Sequence, residues 1–231
     1  MISIIVPAYN EELGIEHFIL EMKKRIKLKE DYELVIINDG STDKTAEIVS
    51  RLMKGYPSLR LVTYEKNKGL GGAIRTGIQE AKGRAIIEMD SDLTQPPEVI
   101  PSMLKALDGA DVVYASRYVR GGGMKNVPRW RVWLSIAANN LFRLIYWLPI
   151  KDATSGFRAY KSSTIKKINI ERTGFAVQLE ISVKLAKIGA RFREVPFVLI
   201  NRQIGESKFS FKKMIARYVR NIIELFFYRW F

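Results

Sequence analysis

The stretch RAIIEMDSDLTQPPE, residues 84 to 98, passes from an apolar run to a pair of acids and then to two prolines. The run shows no polar alternation, so it reads as a strand buried on both faces. Asp90 and Asp92 stand two apart at its end, and Pro96 and Pro97 hold the following chain extended until a helix begins at Glu98.

Outward from this stretch the same alternation recurs. ISIIVPAY precedes a helical pattern from about Leu13 to Lys27, YELVIIND one from Thr42 to Met53, and LRLVTYE one from Gly71 to Ala81. RAIIEMD precedes a helix from Glu98 to Leu107, and ADVVYASR closes the series. Short apolar runs separated by helices predict an α/β fold with a mainly parallel sheet and helices on both faces. A chain of 231 residues with 47% hydrophobic content suits a single domain over 1–231.

In such sheets ligands bind beyond the carboxyl ends of the strands. The residues there are Asn10, Glu11 and Glu12 after the first run, and Asn38, Asp39, Gly40 and Ser41 after the second. Lys66, Asn67, Lys68 and Gly69 follow the third, Asp90 and Asp92 the fourth, and Ser116 and Arg117 the fifth. Each alone is an ordinary cap or turn residue, as Ser41 with Asp43 is before TAEIV. Their convergence on one edge is what nominates it.

Asp90 and Asp92, at i and i+2, would share a face of an extended strand. Two carboxylates that close repel each other, and a hard divalent cation relieves the repulsion; Mg2+ or Mn2+ typically joins one or two carboxylates to substrate phosphates. For a lone D-x-D the plainer reading is a polar strand end and a proline-initiated turn. Arg117 reaches the same edge, and Arg202 and Lys208 flank a glycine in NRQIGESKF, all three suited to phosphate.

Composition narrows the chemistry. With no cysteine and one histidine, disulfides, thiolate ligands, a Cys nucleophile and a His-rich metal site are excluded. A net charge of +14 calls for a polyanionic partner: nucleic acid, an anionic membrane surface or phosphorylated small molecules. Most of that charge lies in residues 117–150 and 201–231. No motif of the usual nucleic-acid readers occurs, and acidic strand ends would repel a phosphate backbone, so no nucleic-acid partner is expected. The start MISIIVPAYNEE reads as a strand rather than a signal peptide, and no run of about 18 uncharged apolar residues predicts a spanning helix. The ending ELFFYRWF leaves a continuation open.

Two segments, 128–148 and 211–231, have amphipathic patterns. In the first, Trp130, Trp133, Leu134, Ala137, Leu141, Leu144, Ile145 and Leu148 form a stripe, with Arg131, Ser135, Asn139 and Arg143 off it. In the second, Phe211, Ile215, Tyr218, Val219, Ile222 and Phe226 oppose Lys213, Arg217, Arg220 and Glu224. Such helices either pack on the domain or lie in a headgroup interface, and both hold if Trp and Phe face outward.

SIIVPAYNEE, VIINDGSTDKT, NKGLGGAIRTGI and EMDSDLTQPPE, in this order, resemble the nucleotide-diphosphosugar (GT-A, Rossmann-like) domain of family 2 glycosyltransferases. SRYVRGGG, DATSGFRAY, FAVQLEI, REVPF and GESKFS resemble, more narrowly, the dolichol or polyprenyl-phosphate mannose synthases, so the resemblance covers nearly the whole chain. It implies inverting transfer of mannose from GDP-mannose to dolichyl or another polyprenyl phosphate, with Mg2+ or Mn2+, by a peripheral enzyme at the cytoplasmic membrane face, with or without a membrane-anchoring partner subunit. UDP-glucose is the alternative donor and a saccharide hydroxyl the alternative acceptor.

By the same resemblance Pro7, Tyr9, Glu11 and Asp39, with Lys68 and Arg202, bind the nucleotide sugar, and Asp90 and Asp92 bind metal and donor diphosphate. Where several relatives read D-A-D-L-Q and use that Gln as a metal ligand, this chain has Thr94, with Gln95 one place later as the candidate third ligand. A shift of one residue reverses facing in a regular strand, so whether either side chain reaches the metal stays open. Arg117, Arg131, Ser135, Ser207 and Lys208 are implied for lipid phosphate, with Asp92, Arg117 and Lys208 catalytic. Gly69, Gly71 and Gly72 read as a tight turn before a helix rather than a dinucleotide loop, and RGGGMK, 120–125, as a mobile loop or a linker. A phosphate acceptor is already anionic and needs no general base. A hydroxyl acceptor needs one, and Asp152 and Glu180 are the candidates; otherwise they are a turn residue and the anchor of a basic loop.

Overall fold

A computed structural model of the chain describes residues 1–200 and 224–229. Arg202, Ser207, Lys208 and the helical pattern from Phe211 lie outside the described residues, apart from 224–229, which are helical.

The main sheet has seven strands: β1 (Ile2–Ala8), β2 (Tyr32–Asp39), β3 (Leu59–Tyr64), β4 (Ala85–Glu88), β5 (Val112–Ser116), β7 (Arg158–Lys161) and β8 (Phe192–Pro196), in the order β3-β2-β1-β4-β7-β5-β8. A small ribbon pairs β6 (Gly123–Lys125) with β9 (Val198–Ile200), so the second half of the expected loop 120–125 is a strand. The five expected apolar runs are β1 to β5, and the first four pair in parallel. Their continuous apolar character has the expected cause. Ile4, Val6, Ile36 and Ile87 point into one core with α1 (Ile15–Arg25), α2 (Thr45–Met53) and α4 (Ile100–Leu107). Ile5, Val35, Ile37 and Ile86 point into the other, against α3 (Gly69–Glu80), α5 (Arg129–Tyr146) and α7 (Val177–Lys187).

Helix starts differ from expectation for local reasons. Asp43 Oδ1 accepts the Thr45 amide at 3.0 Å, so α2 begins at Thr45 rather than Thr42. Pro96 is extended, at ψ 123°, and a 3-10 turn over Pro97–Val99 precedes α4.

The larger difference is β7, which lies antiparallel between β4 and β5. Its sequence, RAYK, has no apolar run, yet Arg158 and Tyr160 are fully buried. The Arg158 guanidinium donates to the carbonyls of Ser155, Ala153 and Gln178 and lies 4.5 Å from the Tyr114 ring centroid. Hydrogen bonds from Nε and Nη2 and the Tyr114 ring replace hydration there, while Nη1 has no hydrogen-bond partner among the described residues.

In α5 the sequence stripe faces outward. Asn139, Phe142 and Tyr146 are the buried residues, and Trp133, Leu144 and, just past the helix, Trp147 are 71%, 72% and 73% exposed. Leu148, expected on the stripe, is buried. The helical residues 224–229 sit at the end of α5: Arg229 Nε donates to the Tyr146 carbonyl at 3.3 Å, Glu224 pairs with Arg172, and Phe226, Phe227 and Tyr228 are exposed. No described helix is long and apolar enough to cross a membrane.

Candidate active site

The chain lays β2 and β3 on one side of β1 and β4 on the other, so the switch point, where open α/β sheets form their ligand crevice, lies at the carboxyl ends of β1 and β4. One wall is built by the loops after β1 and β2, which are laced together. The Asn10 amide donates to Ser41 Oγ at 2.9 Å, Asn10 Oδ1 accepts the Thr42 amide at 2.8 Å, and the Glu11 amide donates to Thr45 Oγ1 at 2.8 Å. Asn10 makes this turn at φ 50°, a left-handed conformation that Asn tolerates. Asp39 ends β2, buried, and its Oδ1 accepts the Lys68 amide at 2.7 Å. Lys68 Nζ lies 4.1 Å from the Tyr64 ring centroid. Burial, and then Asp39, push the Tyr64 phenol well above its ordinary pKa, so it stays neutral. These contacts bring Glu11, Asp39 and Lys68 to the ends of adjoining strands, with Pro7 and Tyr9 on the segment that leads in. Tyr64 was not expected from sequence; its place as the last residue of β3 was the available signal.

Asp90 and Asp92 stand at the crevice mouth, but not on a strand. β4 ends at Glu88, and Leu93, at φ 57°, turns the chain so that each acid is held by a residue that follows it. Thr94 donates to Asp92 Oδ1 from its amide at 3.1 Å and its hydroxyl at 2.7 Å. Gln95 Nε2 donates to Asp90 Oδ2 at 2.6 Å, and the Asp90 amide donates to Gln95 Oε1 at 2.9 Å. The oxygen with which Gln95 was expected to meet a metal is therefore turned to the backbone. Gly156 leaves room at this point: a methyl group there would stand 3.6 Å from Asp90 Oδ1 and 3.2 Å from Gln178 Nε2.

Whether these residues fit a divalent cation follows from the donor set. Two carboxylates offer hard oxygens, and among the described residues no group of three or more acids or histidines is placed to hold a metal ion. That suits a cation completed by substrate phosphates, as Mg2+ and Mn2+ are, and not one enclosed by protein alone.

Beneath the pair lies a network that sequence reasoning missed. Glu88 is fully buried and accepts Tyr160 Oη at 2.7 Å and Gln178 Nε2 at 2.5 Å. Burial raises its carboxyl pKa, and the Arg158 charge and these two donors only partly oppose that.

On the other wall Arg117 is clamped. Its Nε and Nη2 donate to Asp152 Oδ2 and Oδ1 at 2.8 and 2.6 Å, and its amide to Oδ2 at 2.9 Å. Burial alone would lower the guanidinium pKa; the bonds and charge of Asp152 outweigh it, with Asp90 adding to them, and the net shift is upward. Nη2 also reaches Thr154 Oγ1, which accepts from Asn139, while Tyr118 Oη donates to Ser135 Oγ at 2.6 Å. Arg117 and Ser135 are thus brought to one cluster, and Arg131 is exposed one turn earlier on α5.

Glu180 is the anchor of a loop. Fully buried, it accepts the amides of Glu171 and Arg172 at 3.0 and 2.9 Å and pairs with Lys184 at 2.8 Å. That loop seats against α3, where the Gly71 amide donates to the Thr173 carbonyl at 3.0 Å. A methyl group on Gly71 would collide with the Arg172 carbonyl at 1.7 Å, so this glycine serves close approach inside the helix rather than a turn before it.

The sequence profile described as Glycosyl transferase family 2 matches residues 3–168, from β1 past β7. The chain belongs to glycosyl transferase family 2. The chain is 36% identical to a dolichol-phosphate mannosyltransferase of Pyrococcus furiosus, over 97% of its own length and 63% of the relative. It is 33% identical to an undecaprenyl-phosphate mannosyltransferase of Micrococcus luteus, over 89% of the chain and 86% of the relative. The chain thus spans under two thirds of the Pyrococcus protein's length. In fold the chain is similar to glucosyl-3-phosphoglycerate synthase of Mycobacterium tuberculosis, solved with Mn2+, UDP-glucose and phosphoglyceric acid, at TM-score 0.72 and 19% identity over 99% of this chain and 79% of that one. It is also similar to a mannosyltransferase of Pyrobaculum calidifontis, solved with GDP-mannose and Mn2+, at TM-score 0.69 and 19% identity over 97% and 62%.

Proposed function

We propose that this chain transfers mannose from GDP-mannose to dolichyl or another polyprenyl phosphate, with inversion, at the cytoplasmic face of a membrane. The names of the relatives at 36% and 33% identity support mannose as the sugar and a polyprenyl phosphate as the acceptor, and the neighbour solved with GDP-mannose supports the donor. The observation that carries the acceptor class is the state of the two candidate bases. Asp152 accepts three hydrogen bonds from Arg117, and Glu180 two from backbone amides beside its Lys184 pair. Neither is placed to take a proton from a hydroxyl, and a phosphate monoester, already anionic, needs no base to take one.

Pro7, Tyr9, Glu11, Asp39 and Lys68 then hold the nucleotide, and Arg117, Arg131 and Ser135 the acceptor phosphate, with Arg202, Ser207 and Lys208 assigned to the same phosphates from sequence. Asp90 and Asp92 would hold Mg2+ or Mn2+, which supplies positive charge where the departing diphosphate gains negative charge. An acceptor oxygen bonds to the anomeric carbon as the bond to the diphosphate oxygen breaks, and that electron pair leaves with GDP. Arg117 contributes a fixed cation, since Asp152 holds its plane and orientation before any substrate binds.

The test is incorporation of labelled sugar into organic-extractable polyprenyl phosphate, with GDP-mannose and UDP-glucose compared and with Mg2+, Mn2+ or EDTA present. A cation-dependent mannolipid is expected. Transfer only to a saccharide hydroxyl would overturn the proposal, and a glucolipid from UDP-glucose would replace the donor.

Membrane docking belongs to the same reading. Trp130, Trp133, Leu141, Leu144 and Trp147 are exposed on α5 and at its end, with Arg129, Arg131 and Arg143 also exposed on that helix. Contiguous exposed apolar area with basic residues suits the headgroup interface of an anionic bilayer. Burying a large apolar side chain contributes roughly 1.5–3 kcal/mol, so Trp133→Glu or Leu144→Glu should weaken co-sedimentation with anionic vesicles by about tenfold or more. Unchanged vesicle affinity in both variants would remove α5 from the membrane contact.

A further inference from the structure

We propose that Thr94 and Gln95 are the positioning residues of the cation site, each holding one carboxylate of the pair, and that neither is itself a ligand. This rests on the reading of Asp90 and Asp92 as the cation's ligands.

Thr94 addresses one oxygen of Asp92 twice. Its amide and hydroxyl both donate to Oδ1, so the lone pairs of that oxygen are engaged. Oδ2 has no hydrogen bond among the described residues and is the oxygen left for a cation. Thr94 is fixed from its other side as well, because its carbonyl accepts the Ile200 amide of β9 at 3.2 Å. The left-handed turn at Leu93 is what brings Thr94 back over Asp92.

Gln95 makes a two-point clamp on Asp90, meeting its carboxylate and its backbone amide together. The sense of the side-chain amide follows from the partners. Turned over, its oxygen would face a carboxylate and its NH2 group an N–H, and both contacts would repel. Its carbonyl oxygen is therefore held on the backbone, and the side chain is buried, with 3% exposure.

Both clamps are neutral donors. A lysine or arginine in either place would orient the acid and also cancel its charge, whereas a hydroxyl and an amide orient the carboxylates without adding a cation. Two like charges held close are the arrangement that a divalent cation relieves. The dipeptide after the leucine thus does indirectly what a third ligand would do directly.

Partners that orient ligating groups typically change metal affinity by about 10–100-fold when removed. The experiment is Mn2+ binding to the purified chain, read from the electron paramagnetic resonance signal of free Mn2+, with and without GDP and with no acceptor present. Thr94→Val should weaken binding at least about tenfold, with Thr94→Ser restoring it to within about twofold. Gln95→Met should weaken it by a similar factor, and less than Asp90→Asn does. Thr94→Ala removes the same hydroxyl should the valine variant fail to fold. Wild-type Mn2+ affinity in the Thr94 variants would overturn the assignment. So would a Gln95→Met loss as deep as that of Asp90→Asn, since that makes residue 95 a ligand. If Asp90→Asn and Asp92→Asn both bind Mn2+ normally, the underlying reading of the pair falls instead, and the lipid assay on the wild-type chain tests the proposed reaction separately.

Discussion

Replacing Asp92 by asparagine should lower kcat/KM by at least about a thousandfold, and Asp90→Asn should do the same, with melting temperatures close to wild type. The two changes remove charge and keep shape. In Asp92→Asn the new carbonyl oxygen can still accept the Thr94 amide and hydroxyl, and in Asp90→Asn it can still accept Gln95 Nε2, so the turn at Leu93 keeps its contacts. What is lost is one of the two negative charges of the pair. A cation's stabilisation of a departing diphosphate is worth several kcal/mol, and about 4 kcal/mol corresponds to three powers of ten in rate. Steady-state transfer to lipid acceptor, beside circular dichroism melts, separates loss of chemistry from loss of fold. Full activity in both variants would end the metal reading of the pair.

Asp152→Ala should destabilise the protein by about 3–5 kcal/mol, the range for breaking a buried ion pair by removing one partner. Asp152 is fully buried and takes three hydrogen bonds from Arg117, whose side chain retains 14% exposure. Without the acid, Arg117 is left as an uncompensated charge against Tyr118 and Thr154. Urea unfolding measures the loss. Replacing both residues by leucine should recover most of the stability, because the stranded charge goes with its partner, and should still abolish transfer, because Arg117 is gone. The outcome also bears on the acceptor. A general base would show the reverse pattern: an Asp152→Asn chain of ordinary stability with transfer to a hydroxyl lost.

The parallel part of the fold was legible because β1, β2 and β4 are largely buried on both faces and so spell apolar runs. The carboxyl-edge rule then led to Asp39, Lys68, Asp90, Asp92 and Arg117 without any contact being known. β7 was illegible for the opposite reason. A strand whose buried members include Arg158 and Tyr160 breaks the rule that buried strands are apolar, and it is stable only through partners far away in sequence, such as Gln178 and Glu88. In α5, periodicity found the two faces and could not say which one packs inward. Asn139 is buried because Thr154 and the Ser135 carbonyl satisfy it, and that is a tertiary fact. Likewise, the shared strand face expected for Asp90 and Asp92 gave way to a turn whose left-handed residue is a leucine, which no turn propensity announces.

The place of β7 also sets an order on synthesis. In the sheet order β1-β4-β7-β5-β8, Arg158–Lys161 is the strand that joins those leading to Glu11, Asp39 and Asp90 to the one leading to Arg117. While the chain is being made, β4, all of whose residues end up buried, keeps an open edge until Lys161 has emerged. Such an edge is a template for pairing with other chains. β5 leaves the ribosome earlier than β7 and must wait for it in the same way. The wall of the crevice that holds Asp39 and Lys68 is therefore complete well before the wall that holds Arg117 and Asp152 can be attached to it, and a chain halted between Ser116 and Arg158 would carry one wall and an exposed seam.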